Sequence, residues 1–145
     1  MSEQQLVICE LGGQRYGLDI GRVREIIRLT PITSVPGAPP YVEGVLNLRG
    51  RIIPVVDLAA RLALPADART RASRIVVVDV AGTSIGLIVD GVSEVLMASD
   101  EAIEATPAVA GGADYLAGIV RFDERLVTLL ELDRLFGIEL GTLAA

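Results

Sequence analysis

Gly44 to Leu62 read GVLNLRGRIIPVVDLAARL, a segment that commits the chain to β structure. An apolar run, Gly44-Val45-Leu46-Asn47-Leu48, leads into Arg49-Gly50-Arg51, where glycine permits a positive φ. The chain returns as Ile52-Ile53-Pro54-Val55-Val56, rich in the β-branched residues that suit a pleated surface. Pro54 has no N–H to give a ladder, which predicts an edge position or a bulge there. Asp57 is placed to cap a short helix over Leu58–Leu62, with Arg61 one turn on. The stretch is a β-hairpin locked onto a helical turn. Arg49 and Arg51 flank its tip, and a solvent-facing turn needs polar residues of this kind in any case.

Working outward, the chain repeats itself. Gln5–Ile20, QLVICELGGQRYGLDI, is a hairpin turning at Gly12-Gly13. Arg74–Val89, RIVVVDVAGTSIGLIV, has the same organisation about Ala81-Gly82. The two align without a gap, and the register continues through Val23/Val92, Glu25/Glu94 and Ile26/Val95. Gly44–Leu62 aligns in turn with Gly118–Phe136, GIVRFDERLVTLLELDRLF. Gly44 meets Gly118, Arg51 meets Arg125 and Asp57 meets Glu131, while Asp123-Glu124 replaces Arg49-Gly50 at the second tip. Two matches in the same order mark an internal duplication. Each half carries about five short strands and one short helix, so the expected fold is all-β with short helices, in two small closed barrels. The expected units are residues 5–63 and 73–137, joined by a polar connector over 64–72. Barrels this small are marginal alone and should share an apolar interface. Ser99–Gly112 reads as a surface excursion and 137–145 as a fraying tail.

Composition narrows the function. The chain has 145 residues, half of them apolar, with only five aromatic, so its core must be Val, Ile, Leu and Ala. A formal net charge of −6 argues against a nucleic-acid partner, which selects a basic face. Cys9 is the single cysteine; it lies within an apolar run and is expected to be a small buried hydrophobe, consistent with a reducing cytosol. No basic, apolar leader precedes residue 5. Ile75 to Ala98 is apolar enough to flag as a membrane span, but Asp79, Asp90, Glu94 and three glycines would be costly in lipid. Two strands and a turn account for it better, and no membrane insertion is expected.

Catalytic patterns are sparse. There is no histidine, which removes the commonest general base and metal ligand. Gly82-Thr83-Ser84-Ile85-Gly86 matches the G-x-S-x-G nucleophile pattern, but that pattern requires a strand-to-helix elbow and a base partner, and Ser84 lies between two β runs. No phosphate loop, dinucleotide fingerprint or calcium loop is present. A carboxylate-based hydrolase remains conceivable among nineteen acidic residues, with nothing to single out a pair. A binding module, docking through barrel ends or the groove between barrels, is the reading the residues favour.

Asn47-Leu48-Arg49-Gly50 followed by Ile53-Pro54-Val55-Val56-Asp57-Leu58 resembles the CheW-type adaptors of bacterial chemotaxis. Tyr16-Gly17-Leu18-Asp19-Ile20, Gly86-Leu87-Ile88-Val89-Asp90-Gly91-Val92 and Tyr115-Leu116-Ala117-Gly118 carry the same resemblance, which extends over residues 5 to 137. It implies one CheW-like domain made of two intertwined five-stranded SH3-like barrels. It also implies a scaffold without catalysis or cofactor, coupling the cytoplasmic tip of transmembrane chemoreceptors to the regulatory domain of a CheA-type histidine kinase. Other CheW-like proteins in array rings are further partners it suggests. On the same ground Glu25 and Arg49 correspond to a charged pair near the receptor groove, and Ile75, Val76, Gly86, Val92 and Val95 to receptor-facing positions. Val23 and Gly44 correspond to kinase-facing ones. The implied location is the cytoplasm, at membrane-bound receptor arrays. The same domain also serves gliding, twitching and other pathways, and a receptor competitor that has lost kinase coupling is the alternative within this reading.

Overall fold

The structure, a computed structural model, describes residues 3–65, 68–104 and 115–136. The first half supplies β1 (Glu3–Leu11), β2 (Gln14–Asp19), β3 (Val23–Arg28), β4 (Val42–Leu48), β5 (Arg51–Asp57) and the short helix α1 (Leu58–Arg61). The second supplies β6 (Arg74–Val80), β7 (Thr83–Val89), β8 (Gly91–Ser99), the two-residue β9 (Ile103–Glu104), β10 (Leu116–Phe122), β11 (Arg125–Leu130) and helical residues 132–136. The segment 75–98 is thus three strands rather than two.

The duplication is real, but its halves are not the barrels. One sheet runs β8-β1-β2-β11-β10-β9 and the other β3-β6-β7-β5-β4. Each sheet therefore combines a hairpin from one half with three principal strands from the other, and the expected units 5–63 and 73–137 are corrected accordingly. The exchange begins after β2, where Asp19 accepts the Gly21 N–H and caps a one-turn 3-10 helix, Ile20–Arg22. That turn sends β3 away from β1 and onto β6, with Val23 opposite Val78 and Ile26 opposite Val76. The second half does the same in reverse, pairing Val92 with Cys9 and Val95 with Val7. The exchange is reciprocal to the residue.

Closure is duplicated too. Past β3, the Thr33 N–H donates to the Val45 carbonyl at 2.9 Å and the Val45 N–H to Thr33 at 2.8 Å, so the chain after one edge strand bonds the opposite edge, β4. In the other sheet β9 bonds β10, with Glu104 opposite Ile119. Within the expected surface excursion residues 100–102 form an exposed 3-10 turn while residues 103–104 are a sealing element; residues 105–112 of it, and the tail 137–145, lie outside the described residues. Gly44 and Gly118 sit at the two seams with the same φ of 152°. A Cβ on Gly44 would come within 2.0 Å of the Thr33 carbonyl oxygen, and one on Gly118 within 2.7 Å of that of Glu104.

Pro54 is in an interior strand, not at an edge. Both main-chain groups of Val45 are committed to Thr33, so its opposite residue Pro54 faces its nitrogen toward β7. Pairing with β7 starts only at Val55, and no donor is missed. The Asp57 cap forms as expected, accepting the Ala60 N–H at 3.4 Å.

Burial falls in three layers. Leu6 and Ile8 point into one barrel with Val120, Val127 and Leu129. Their repeat partners Ile75 and Val77 point into the other with Leu46, Ile53, Val55 and Ile88. The alternate residues Val7, Cys9, Leu11 and Val76, Val78, Val80 meet in a shared middle layer. Strands buried on both faces read as continuous apolar runs, which explains LVICEL and RIVVVDV. Cys9 lies in that layer, and desolvation pushes its thiol up to about 12. Above the layer Arg61 lies between the repeat-related Tyr41 and Tyr115, 5.5 and 5.4 Å from their ring centroids.

Candidate functional site: a paired-charge barrel end

At the tip of the β4–β5 hairpin Arg49 has φ 53° and Gly50 φ 84°, and the Gly50 N–H donates to Asn47 Oδ1 at 2.9 Å. Two positive φ values make a tight turn whose twist matches its strands. The turn lifts the Arg49 side chain, 72% exposed, onto Glu25 of β3. The contact is a two-pronged fork: Nη1 donates to Oε2 at 2.6 Å and Nη2 to Oε1 at 2.9 Å. The hydrogen bond from Arg49 holds the Glu25 carboxyl below the usual range and raises the guanidinium in return. The pair borders a cleft of about 200 Å³ whose floor includes the core residues Ile53 and Val77. It therefore marks an open end of the barrel. Ile26 and Ile52, 41% and 64% exposed, present apolar surface on the same two elements.

The second barrel has the corresponding face with different charge chemistry. Arg125 reaches Glu94 at 3.6 Å, Arg125 being the repeat partner of Arg51 because Asp123 occupies the place of Arg49. Val95 and Leu126, the partners of Ile26 and Ile52, are 50% and 55% exposed. Both barrels leave the same two apolar positions uncovered, whereas only the first carries the forked pair.

The CheW-like domain model matches residues 5–139. The chain belongs to the CheW-like domain family. It is 40% identical to a probable chemotaxis protein CheW of Rhizobium etli, over 92% of this chain and 88% of that protein. The chemotaxis protein CheW of Rhizobium meliloti is 39% identical, over 94% and 89%. The solved scaffolding protein TtCheW of Thermoanaerobacter tengcongensis superposes with a TM-score of 0.87 at 36% identity, covering 94% of both chains. The two barrels described above are thus the SH3-like pair of this family.

Within that CheW-like frame the sequence-derived residues fall into four groups. Glu25, Arg49 and Val95 are on the surface and free to touch a partner. Val23 and Val92 are half-buried repeat partners packed on the middle layer. Ile75, Val76 and Gly86 are interior, which corrects their reading as receptor contacts: Ile75 fills a barrel, Val76 fills the middle layer, and a Cβ on Gly86 would stand 2.8 Å from Ile75 Cγ2. Gly44 is demanded by barrel closure. Sequence reasoning missed Ile52, Leu126 and Met97, the last 53% exposed, because each stands in an apolar strand that reads as core. The signal that could have found the first two was the duplication, which puts an apolar residue directly after Arg51 and Arg125. Ser84 lies in β7, continuous with the barrel wall and not on an elbow.

Proposed function

We propose that this chain is a non-catalytic scaffold of bacterial chemotaxis that holds a receptor's cytoplasmic tip and the regulatory domain of a CheA-type histidine kinase in one complex. The forked Glu25–Arg49 pair at an open barrel end is the observation that carries this reading. A preorganised ion pair beside exposed apolar residues gives a docking surface both register and area. Val95 and the Ile26/Ile52 and Leu126 positions supply apolar contacts on the two barrels, and Val23 supplies one toward the kinase. Contacts of this modest size become effective when several partners are tethered together. None of the helices among the described residues is long and apolar enough to cross a membrane, so attachment to receptor arrays would run through protein contacts.

The test is co-purification with a CheA-type kinase from the same cell, with and without receptor-bearing membranes. The expected result is a ternary complex in which kinase activity rises. Binding to receptor membranes with no retention of kinase would replace this reading with that of a competitor or of a separate chemosensory pathway.

A further inference from the structure

The β3–β6 ladder ends on two like charges. Arg28 stands directly opposite Arg74 in the antiparallel register, and facing like charges repel. Neither side chain, nor that of Arg71, reaches a carboxylate among the described residues. All three arginines line one open cleft of about 480 Å³ together with Leu29, Thr70 and Ser73.

The cleft is ordered by its own turn. The Thr70 N–H donates to Ser73 Oγ at 2.9 Å, the Ala72 N–H to Thr70 Oγ1 at 3.1 Å, and the Ser73 N–H to the Thr70 carbonyl at 3.1 Å. Ser73 is only 3% exposed; its oxygen accepts from Thr70, which leaves the hydroxyl proton for another acceptor. Arg74 Nη1 donates to the carbonyls of Arg71 and Ser73 at 2.7 and 2.9 Å, fixing its guanidinium with Nε and Nη2 still to give. The fold does not require this charge. In the other barrel the matching cross-strand pair is Gln5 opposite Met97, which is neutral.

We propose that this cleft binds the phosphoryl group of a small phosphorylated molecule. Three guanidiniums and two hydroxyls suit a dianion with three terminal oxygens, which guanidinium forks engage in pairs. A carboxylate would neutralise only one of the three charges. The volume falls in the range of small-molecule sites, roughly 300–1,000 Å³, so the phosphoryl group is the anchored end of a larger ligand. The lining has no aromatic ring, and recognition rests on the oxygens. In a chain of net charge −6, a cluster of arginines that reaches no carboxylate among the described residues is stabilised by such an anion.

Amide chemical shifts of the intact protein test this, titrated with inorganic phosphate, glycerol 3-phosphate, acetate and chloride at matched ionic strength. Saturable shifts confined to residues 28–29 and 70–74 are expected with the two phosphate probes. Shifts that follow ionic strength alike in all four salts, or acetate saturating as tightly as phosphate, overturn the proposal. Arg28→Gln separates the site from general charge effects. It should melt higher than the parent without phosphate, because the facing repulsion is gone, and should weaken glycerol 3-phosphate about tenfold, the loss of one charge-assisted contact. An unchanged affinity in Arg28→Gln overturns it equally.

Discussion

Arg49 is decided by its exposure. With most of its side chain in water, its fork to Glu25 adds little to folding, because exposed pairs trade a modest attraction for side-chain entropy. Arg49→Glu should therefore melt with the parent protein yet lose receptor coupling in a ternary kinase assay; a marked fall in melting temperature would assign Arg49 a structural role. Swapping the pair, Glu25→Arg with Arg49→Glu, rebuilds a fork of opposite polarity. If a partner reads the charges, coupling stays lost in the swap, whereas full recovery would mean that only the fork's geometry matters. The fork also predicts a titration. The hydrogen bond from Arg49 lowers the Glu25 carboxyl from its ordinary 4.5. Its stabilising contribution is accordingly complete above 4.5 and is lost only as pH falls through the lower, folded midpoint. A carbonyl-carbon NMR titration should place the Glu25 midpoint below 4.5 and return it upward in Arg49→Ala, with coupling flat across neutral pH.

Single elements depend on positions where a side chain is either excluded or essential. Gly44 combines a positive φ with a carbonyl oxygen 2.0 Å from where a Cβ would sit, so Gly44→Ala must reopen the Thr33–Val45 seam. A loss of roughly 2–5 kcal/mol is expected from strain and overpacking together. Gly118→Ala, with 2.7 Å to its seam carbonyl, should cost less, and chemical denaturation of both variants measures the order. Kinase binding lost in Gly44→Ala would then be traced to an opened barrel. Val77, 2% exposed, points into the core below the Glu25–Arg49 cleft. Val77→Asp buries an unpaired charge and should cost on the order of 4 kcal/mol or more, seen as a lost cooperative melting transition. The hairpins and the Asp57 cap were legible in the sequence because turn residues and caps are local signals; the shared layer followed from the duplication of barrels too small to stand alone, and the charged pair was implied only by the family resemblance. Burial of Ile75 and Val76 was not. A strand apolar on both faces has no periodicity to tell core from interface, and the exposure of Ile52 is set by which end of a barrel stays open.

Strand partnership was the other illegible feature, and it belongs to the molecule as a whole. Two repeats that align without a gap leave local sequence indifferent to whether β3 returns to β1 or crosses to its equivalent, β6. In the first half the crossing runs through the one-turn helix Ile20–Arg22, whose Arg22 forks onto Asp133 of the second helical segment at 3.1 and 2.5 Å; in the second half β7 passes to β8 through Asp90 alone. Each barrel is left depending on both halves, the middle layer draws from both, and Arg61 joins the tyrosines that open β4 and β10. Neither half therefore contains a complete barrel. Expressed separately, residues 1–65 and 68–145 should each be unfolded as monomers, since β1–β2 would lack β8 and β11, and β6–β7 would lack β3 and β5. Mixed, they should regain the parent's circular dichroism with a melting temperature that rises with concentration, because folding has become association. A half that melts cooperatively as a monomer, independent of concentration, would show that the contiguous barrel is accessible and that the crossing is a preference of the joined chain. The reciprocal exchange predicts the other result, and it has a functional consequence. A force applied by a partner at one barrel end is borne by strands rooted in both repeats, so a partner docked on either barrel acts on one mechanical body.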